Sequence, residues 1–122
     1  MKKHNFREIK IWQEALVIVK EVYALTSNLP KEEKYGITSQ LNRSAVSIPS
    51  NIAEGSGRTS NKEFIRFLEI AISSSYELET QLILVEELFN LQTKEIVENL
   101  HALQNRIGGF TRQIKDRMDN EI

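Results

Sequence analysis

Cysteine is missing from this chain, which excludes disulfides, thiolate metal sites and cysteine nucleophiles and makes a reducing cytosol its natural setting. Only two prolines and five glycines interrupt the 122 residues. No segment alternates cleanly with period two, so strands find no support. No apolar run approaches the roughly 20 residues of a membrane span. The opening Met1-Lys2-Lys3-His4-Asn5 is not followed by an apolar core, so neither a secretory signal nor a membrane anchor is read there, and a cytoplasmic protein is expected. Histidine occurs twice, at His4 and His101. The net charge of −1 argues against a generic polyanion binder.

The length suits one domain with one core, residues 1–122. Hydrophobic residues at 40% and charged residues at 27% are ordinary for a globular fold and wrong for a disordered chain. Four segments carry helical periodicity. In the first, Trp12, Ala15, Val19, Val22 and Thr26 recur at steps of three and four, flanked by Ile11, Ile18 and Leu25, until Pro30 stops the run. In the second, Ile37, Leu41, Ala45, Ile48 and Ile52 form the stripe and Gly55-Ser56-Gly57 closes it. The third keeps four-three spacing through Phe64, Leu68, Ala71, Ser75, Leu78, Leu82, Val85 and Phe89, behind a Ser60/Glu63 capping box. The fourth opens at Thr93 and runs through Ile96, Leu100, Leu103, Ile107, Phe110, Ile114 and Met118. Inside it Gly108-Gly109 marks a bend or a close helix contact.

These patterns place helices at about 10–28, 34–56, 60–90 and 93–118. The short connections between them favour antiparallel neighbours, hence an all-α, up-down-up-down four-helix bundle. The third helix carries more apolar surface than such a core requires, with Phe67, Ile70, Leu84, Leu88 and Leu91 on one flank and Ile65, Ile72, Tyr76 and Ile83 on the other. Surplus of this kind points to a subunit interface, or to fuller coverage by neighbouring helices of the same chain.

Pro49 stands inside the second helix, where it removes a backbone donor and a kink is expected. Gln40, Ser44, Ser47, Asn51 and Glu54 form a polar, mostly small stripe on the same helix. Such a stripe admits another backbone closely, grips a ligand, or is simply solvated. With no histidine beside it, nucleophilic catalysis has no basis.

The run from Gln40 to Gly55, QLNRSAVSIPSNIAEG, resembles the signature of the 23S rRNA intervening-sequence protein family. Ile11-Trp12-Gln13, Tyr35-Gly36, Arg58, Glu63-Phe64, Phe67-Leu68 and Glu77 to Leu82 extend the likeness from Phe6 to about Leu91. The resemblance implies an antiparallel four-helix bundle and a ring-shaped homo-oligomer, commonly a pentamer. It also implies kinship with the accessory variability determinant proteins, which bind a reverse transcriptase and nucleic acid. At Asn42 many members carry arginine, so one basic contact on that helix is in doubt. No catalytic residue carries over.

The expected topology gathers Lys2, Lys3, Arg7, Lys10, Arg58, Lys62, Arg66, Arg106, Arg112, Lys115 and Arg117 at one end, against Glu8, Glu63 and Asp116 with Asp119 and Glu121 in the tail. Residues 67–105 instead hold Glu69, Glu77, Glu79, Glu86, Glu87, Glu95 and Glu98 with Lys94 as the one base. Helix-dipole logic accounts for bases late in the fourth helix but not for those at helix starts. The Gly55-Ser56-Gly57-Arg58 stretch running into free N–H groups at Ser60 would suit a phosphate, although it lacks the lysine and spacing of a P-loop. The alternative is a solvated charged end. The reading is a non-enzymatic homo-oligomeric scaffold that binds RNA or DNA backbone through Arg7, Lys10, Arg58, Lys62, Arg66, Arg112, Lys115 and Arg117, as accessory to another protein. Its rival is a protein-only adaptor. No cofactor is called for, and Glu98 with His101 lacks the second motif and added carboxylates of a di-iron site.

Overall fold

The structure is a computed structural model that describes residues 5–120 of the chain. Four helices carry the fold: α1 Lys10–Thr26, α2 Ile37–Ser56, α3 Asn61–Phe89 and α4 Lys94–Asn120, with short 3-10 turns at Phe6–Glu8 and Lys31–Glu33. No strand occurs among the described residues.

In α1 the deepest stripe is Ile11, Ala15, Ile18, Val22 and Leu25, with Trp12 and Val19 half-buried beside it. The residues read as flanking are therefore the central ones, a rotation of one position. The helix ends two residues before the expected 28 because its exit tightens. Asn28 N–H bonds the Leu25 carbonyl and Leu29 N–H the Thr26 carbonyl, at 3.0 and 3.1 Å, while the Ser27 hydroxyl donates to the Ala24 carbonyl at 2.6 Å.

The second helix starts at Ile37 and not at 34. Gly36, at φ −107° and ψ −118°, is outside the helical region, and Lys31–Glu33 close a turn of their own. From there α2 runs unbroken through Pro49 to Ser56. In α3 the Ser60 side chain caps the Glu63 N–H at 3.2 Å. The helix stops at Asn90, which takes the left-handed conformation at φ 61° and donates its N–H to the Glu86 carbonyl. Thr93 precedes α4 and accepts from Val97 N–H at 3.0 Å. That helix passes Gly108 and Gly109 without a break.

Cross-helix pairs give the packing sense. Along α2 and α3, Ser44 meets Glu77 and Ser47 meets Ser74, and Gly55 lies against Phe67. Along α1 and α4, Glu14 meets Arg106 and Glu21 meets Asn99. Between α3 and α4, Glu79 bonds His101 and Gln104, and the Phe64 and Phe110 rings meet edge to face at 5.6 Å. In each pair numbers rise on one helix as they fall on the other, so each pair is antiparallel. The core between the helices holds Leu41, Ile48, Ile52, Phe64, Leu68, Leu78, Leu82, Leu100, Leu103 and Ile107, all essentially without solvent contact. Burial of each such side chain stabilises by about 1.5–3 kcal/mol.

The middle of the polar stripe of α2, Ser44, Ser47 and Asn51, lies in the seam with α3, while Gln40 and Glu54 at its ends are exposed. Ser44 is 0% exposed, and its hydroxyl donates to Glu77 Oε1 at 2.6 Å. The Ser47 and Ser74 hydroxyls share a hydrogen bond of 2.8 Å, and Asn51 Nδ2 donates to the Ser47 carbonyl at 2.8 Å. At the end of the seam a Cβ on Gly55 would lie 2.6 Å from Phe67 Cβ. Only glycine allows the helices to approach this closely there. Gly108 and Gly109 differ. A Cβ on either would meet only the Arg112 guanidinium, at 3.6 and 3.8 Å, so they mark no close helix contact.

Candidate functional site

The antiparallel packing of α3 and α4 sets the first turns of one beside the last turns of the other. Between them lies an open groove of about 630 Å³ lined by Lys62, Glu63, Ile65, Arg66 and Glu69 of α3 with Lys115, Met118 and Asp119 of α4. Lys62, Ile65, Arg66 and Glu69 share one side of α3 because they stand three and four residues apart. Next to it a second groove of about 410 Å³ runs past Leu68, Glu69, Ile72, Ser73, Gly108, Thr111, Arg112 and Lys115. Gly108 lines this groove without a side chain to fill it.

Of the eight candidate cations the structure thus brings together Lys62, Arg66 and Lys115 in one groove, with Arg112 joining them through the second. Arg58 stands at the α2–α3 junction, its guanidinium 4.6 Å from the centre of the Phe67 ring and 3.4 Å from Glu54. Arg7 is drawn into the N-terminal turn, 5.8 Å from the Phe6 ring centre, with its carbonyl accepting from Gln13 Nε2 at 2.8 Å. Lys10 and Arg117 are exposed, at the start of α1 and in the last turns of α4, and line neither groove. Among the described residues only Arg58 of the eight has an ion-pair partner. Lys2, Lys3 and Glu121, also assigned to this end, lie outside the described residues.

Several expectations change. Arg106, counted as a cation of this end, is ion-paired with Glu14 across the α1–α4 seam. Glu69, counted with the acidic half, lines both grooves of the basic end. Its spacing of three from Arg66 was the signal that could have placed it. The groove is therefore charge-balanced by count, three bases against Glu63, Glu69 and Asp119. The phosphate-loop reading also weakens. Gly55 and Ser56 are buried in the last turn of α2, the Ser56 hydroxyl donates to the Ala53 carbonyl at 2.7 Å, and Ser60 already caps the start of α3.

Away from this end, two carboxyls are held below the ordinary carboxylate range. Glu77 is lowered chiefly by the Ser44 hydroxyl, with Arg43 at 2.9 Å adding to the effect. Glu79 is lowered by hydrogen bonds from His101 and then Gln104, at 2.9 and 3.0 Å. His101 thus turns to α3, while Glu98 faces solvent. Among the described residues no cluster of three or more histidines or carboxylates could hold a metal ion. No helix among them is long and apolar enough to cross a membrane.

The fold and the site define a helical bundle whose chemistry-bearing residues at one end, among the described residues, are cations and carboxylates. The chain belongs to the 23S rRNA-intervening sequence protein family, whose model matches residues 7–112. A crystal structure of a protein with unknown function from the S23 ribosomal protein family of Bacteroides thetaiotaomicron is similar, with a TM-score of 0.73 at 20% identity over 83% of this chain and 97% of that one. At that identity the likeness speaks to the fold alone. No curated protein matches the sequence.

Proposed function

We propose that this protein is a non-enzymatic, cytoplasmic, self-associating scaffold that holds nucleic acid by its backbone at the cationic end of the bundle, as accessory to another protein. The supporting observation is the convergence of Lys62, Arg66 and Lys115 from two helices on one groove, none of them ion-paired among the described residues. Cations left without partners release counterions from a polyanion when they contact its phosphates. The acids in the groove temper the attraction, while the cation contacts make it sensitive to salt. RNA is the first nucleic acid to test, because the family is described by an intervening sequence of 23S rRNA. Exposed Ile70, Ile83, Leu84 and Leu88 on α3 support self-association. A ring of copies, five by the resemblance, would repeat the cationic end around one face.

Titration with labelled RNA and DNA should show binding that weakens steeply as salt rises. Charge reversal at Arg58, Lys62 and Arg66 together should abolish it. Absence of binding at low salt would count decisively against this function. The rival, a protein-only adaptor, draws on the same α3 surface, where Leu88 is 68% exposed. Co-purification of one stoichiometric protein partner without nucleic acid would favour it.

A further inference from the structure

The nature of the nucleic acid can be narrowed, on the premise that the function proposed above holds. We infer that the cationic end prefers single-stranded over duplex nucleic acid and that Arg58 stacks an unpaired base. Two observations carry this. The Arg58 guanidinium lies 4.6 Å from the Phe67 ring centre, and its Nη2 is 3.4 Å from Glu54 Oε1. Phe67 is itself fixed by the close approach of α2, with its Cβ 2.6 Å from where a Cβ of Gly55 would stand. A planar cation supported by an aromatic ring on one side, with 41% of its side chain still exposed, offers a preorganised surface for a flat π-system. Unpaired bases stack on arginine planes and aromatic rings in this way.

The second observation is the lining of the 630 Å³ groove, which includes the apolar Ile65 and Met118 as well as Lys62, Arg66 and Lys115. Apolar side chains add nothing to a phosphate contact. They do shelter the face of a base that has left its stack. Phe67 lies five residues beyond Lys62 and so about 140° around α3 from it. Arg58 and the groove therefore stand on different sides of the same first turns, and a strand that passes around the end of the helix is what would meet both. A duplex keeps its base faces stacked inside and could use only the charged rim.

The test is a competition titration with a single-stranded RNA and the duplex made by annealing its complement, on the unmodified chain and on Arg58→Lys. Lysine keeps the charge and loses the plane. The wild type should favour the single strand by about tenfold, and Arg58→Lys should lose most of that preference by weakening single-strand binding more than duplex binding. Circular dichroism of the variant checks that the helices persist. Equal affinity for the two forms, or a preference that survives Arg58→Lys, overturns the stacking role while leaving backbone binding intact. If neither form binds, the premise fails and the inference falls with it.

Discussion

The seam between α2 and α3 and the groove between α3 and α4 are both lined with polar side chains, yet they use them oppositely. In the seam, Ser44, Ser47, Asn51, Ser74 and Glu77 hydrogen-bond one another or neighbouring carbonyls. Small side chains and Gly55 bring the helices close, and each hydroxyl finds its partner within the chain. In the groove, Lys62, Arg66 and Lys115 end in no ion pair among the described residues. Polar residues in the first region serve folding. In the second the cations have no ion-pair partner among the described residues, so charge alone does not separate the two regions and partnership must be read with it.

The largest expected effect is at Gly55. Gly55→Ala places a Cβ against Phe67 Cβ, a backbone-anchored contact that cannot swing aside, and should destabilise by about 2–3 kcal/mol in a denaturant melt. A neutral result would break the picture of a tight seam. Ser44→Ala removes the main hydrogen bond to Glu77 and should cost about 1 kcal/mol by the same measurement.

The seam should also show in the pH dependence. The Glu77 pKa is lowered from 4.5, so the folded state ionises more readily than the unfolded one. Its contribution is complete above the unfolded value and is lost as pH falls through the lower folded value. Melts taken into the acid range should therefore lose stability below about pH 4.5, and Glu77→Gln should flatten part of that slope. An unchanged slope would show that Glu77 does not couple protonation to folding. At the other extreme, single alanine substitutions of Lys62, Arg66 or Lys115 should shift stability by no more than about 0.5 kcal/mol, because none of them has an ion-pair partner among the described residues.

Much of this was legible from residue spacing. The four helices, the Ser60 cap and the core stripes of α2, α3 and α4 follow from periods of three and four within single segments. Where expectation and structure part, information between segments was missing. The helical pattern through 34–36 gives way because Gly36 leaves the helical region. The small polar stripe of α2 was visible, but its partner was not, since Ser44 meets Glu77 only through the register of two helices. Arg106 looked like one more cation of the basic end until packing set it against Glu14. Lys62, Arg66 and Lys115 could be assigned to one end from topology; that they share a groove with Ile65, Met118 and three carboxylates required the fold.

The central claim is that the groove cations serve a ligand and not the fold. One protein, the triple variant Lys62→Gln, Arg66→Gln and Lys115→Gln, tests it when an RNA titration across a salt series is run beside its thermal melt. The expected melt is close to wild type, while affinity falls sharply and the dependence of log affinity on log salt becomes shallower by about one unit for each phosphate no longer neutralised. Wild-type affinity and salt slope in a fully folded triple variant would contradict the claim.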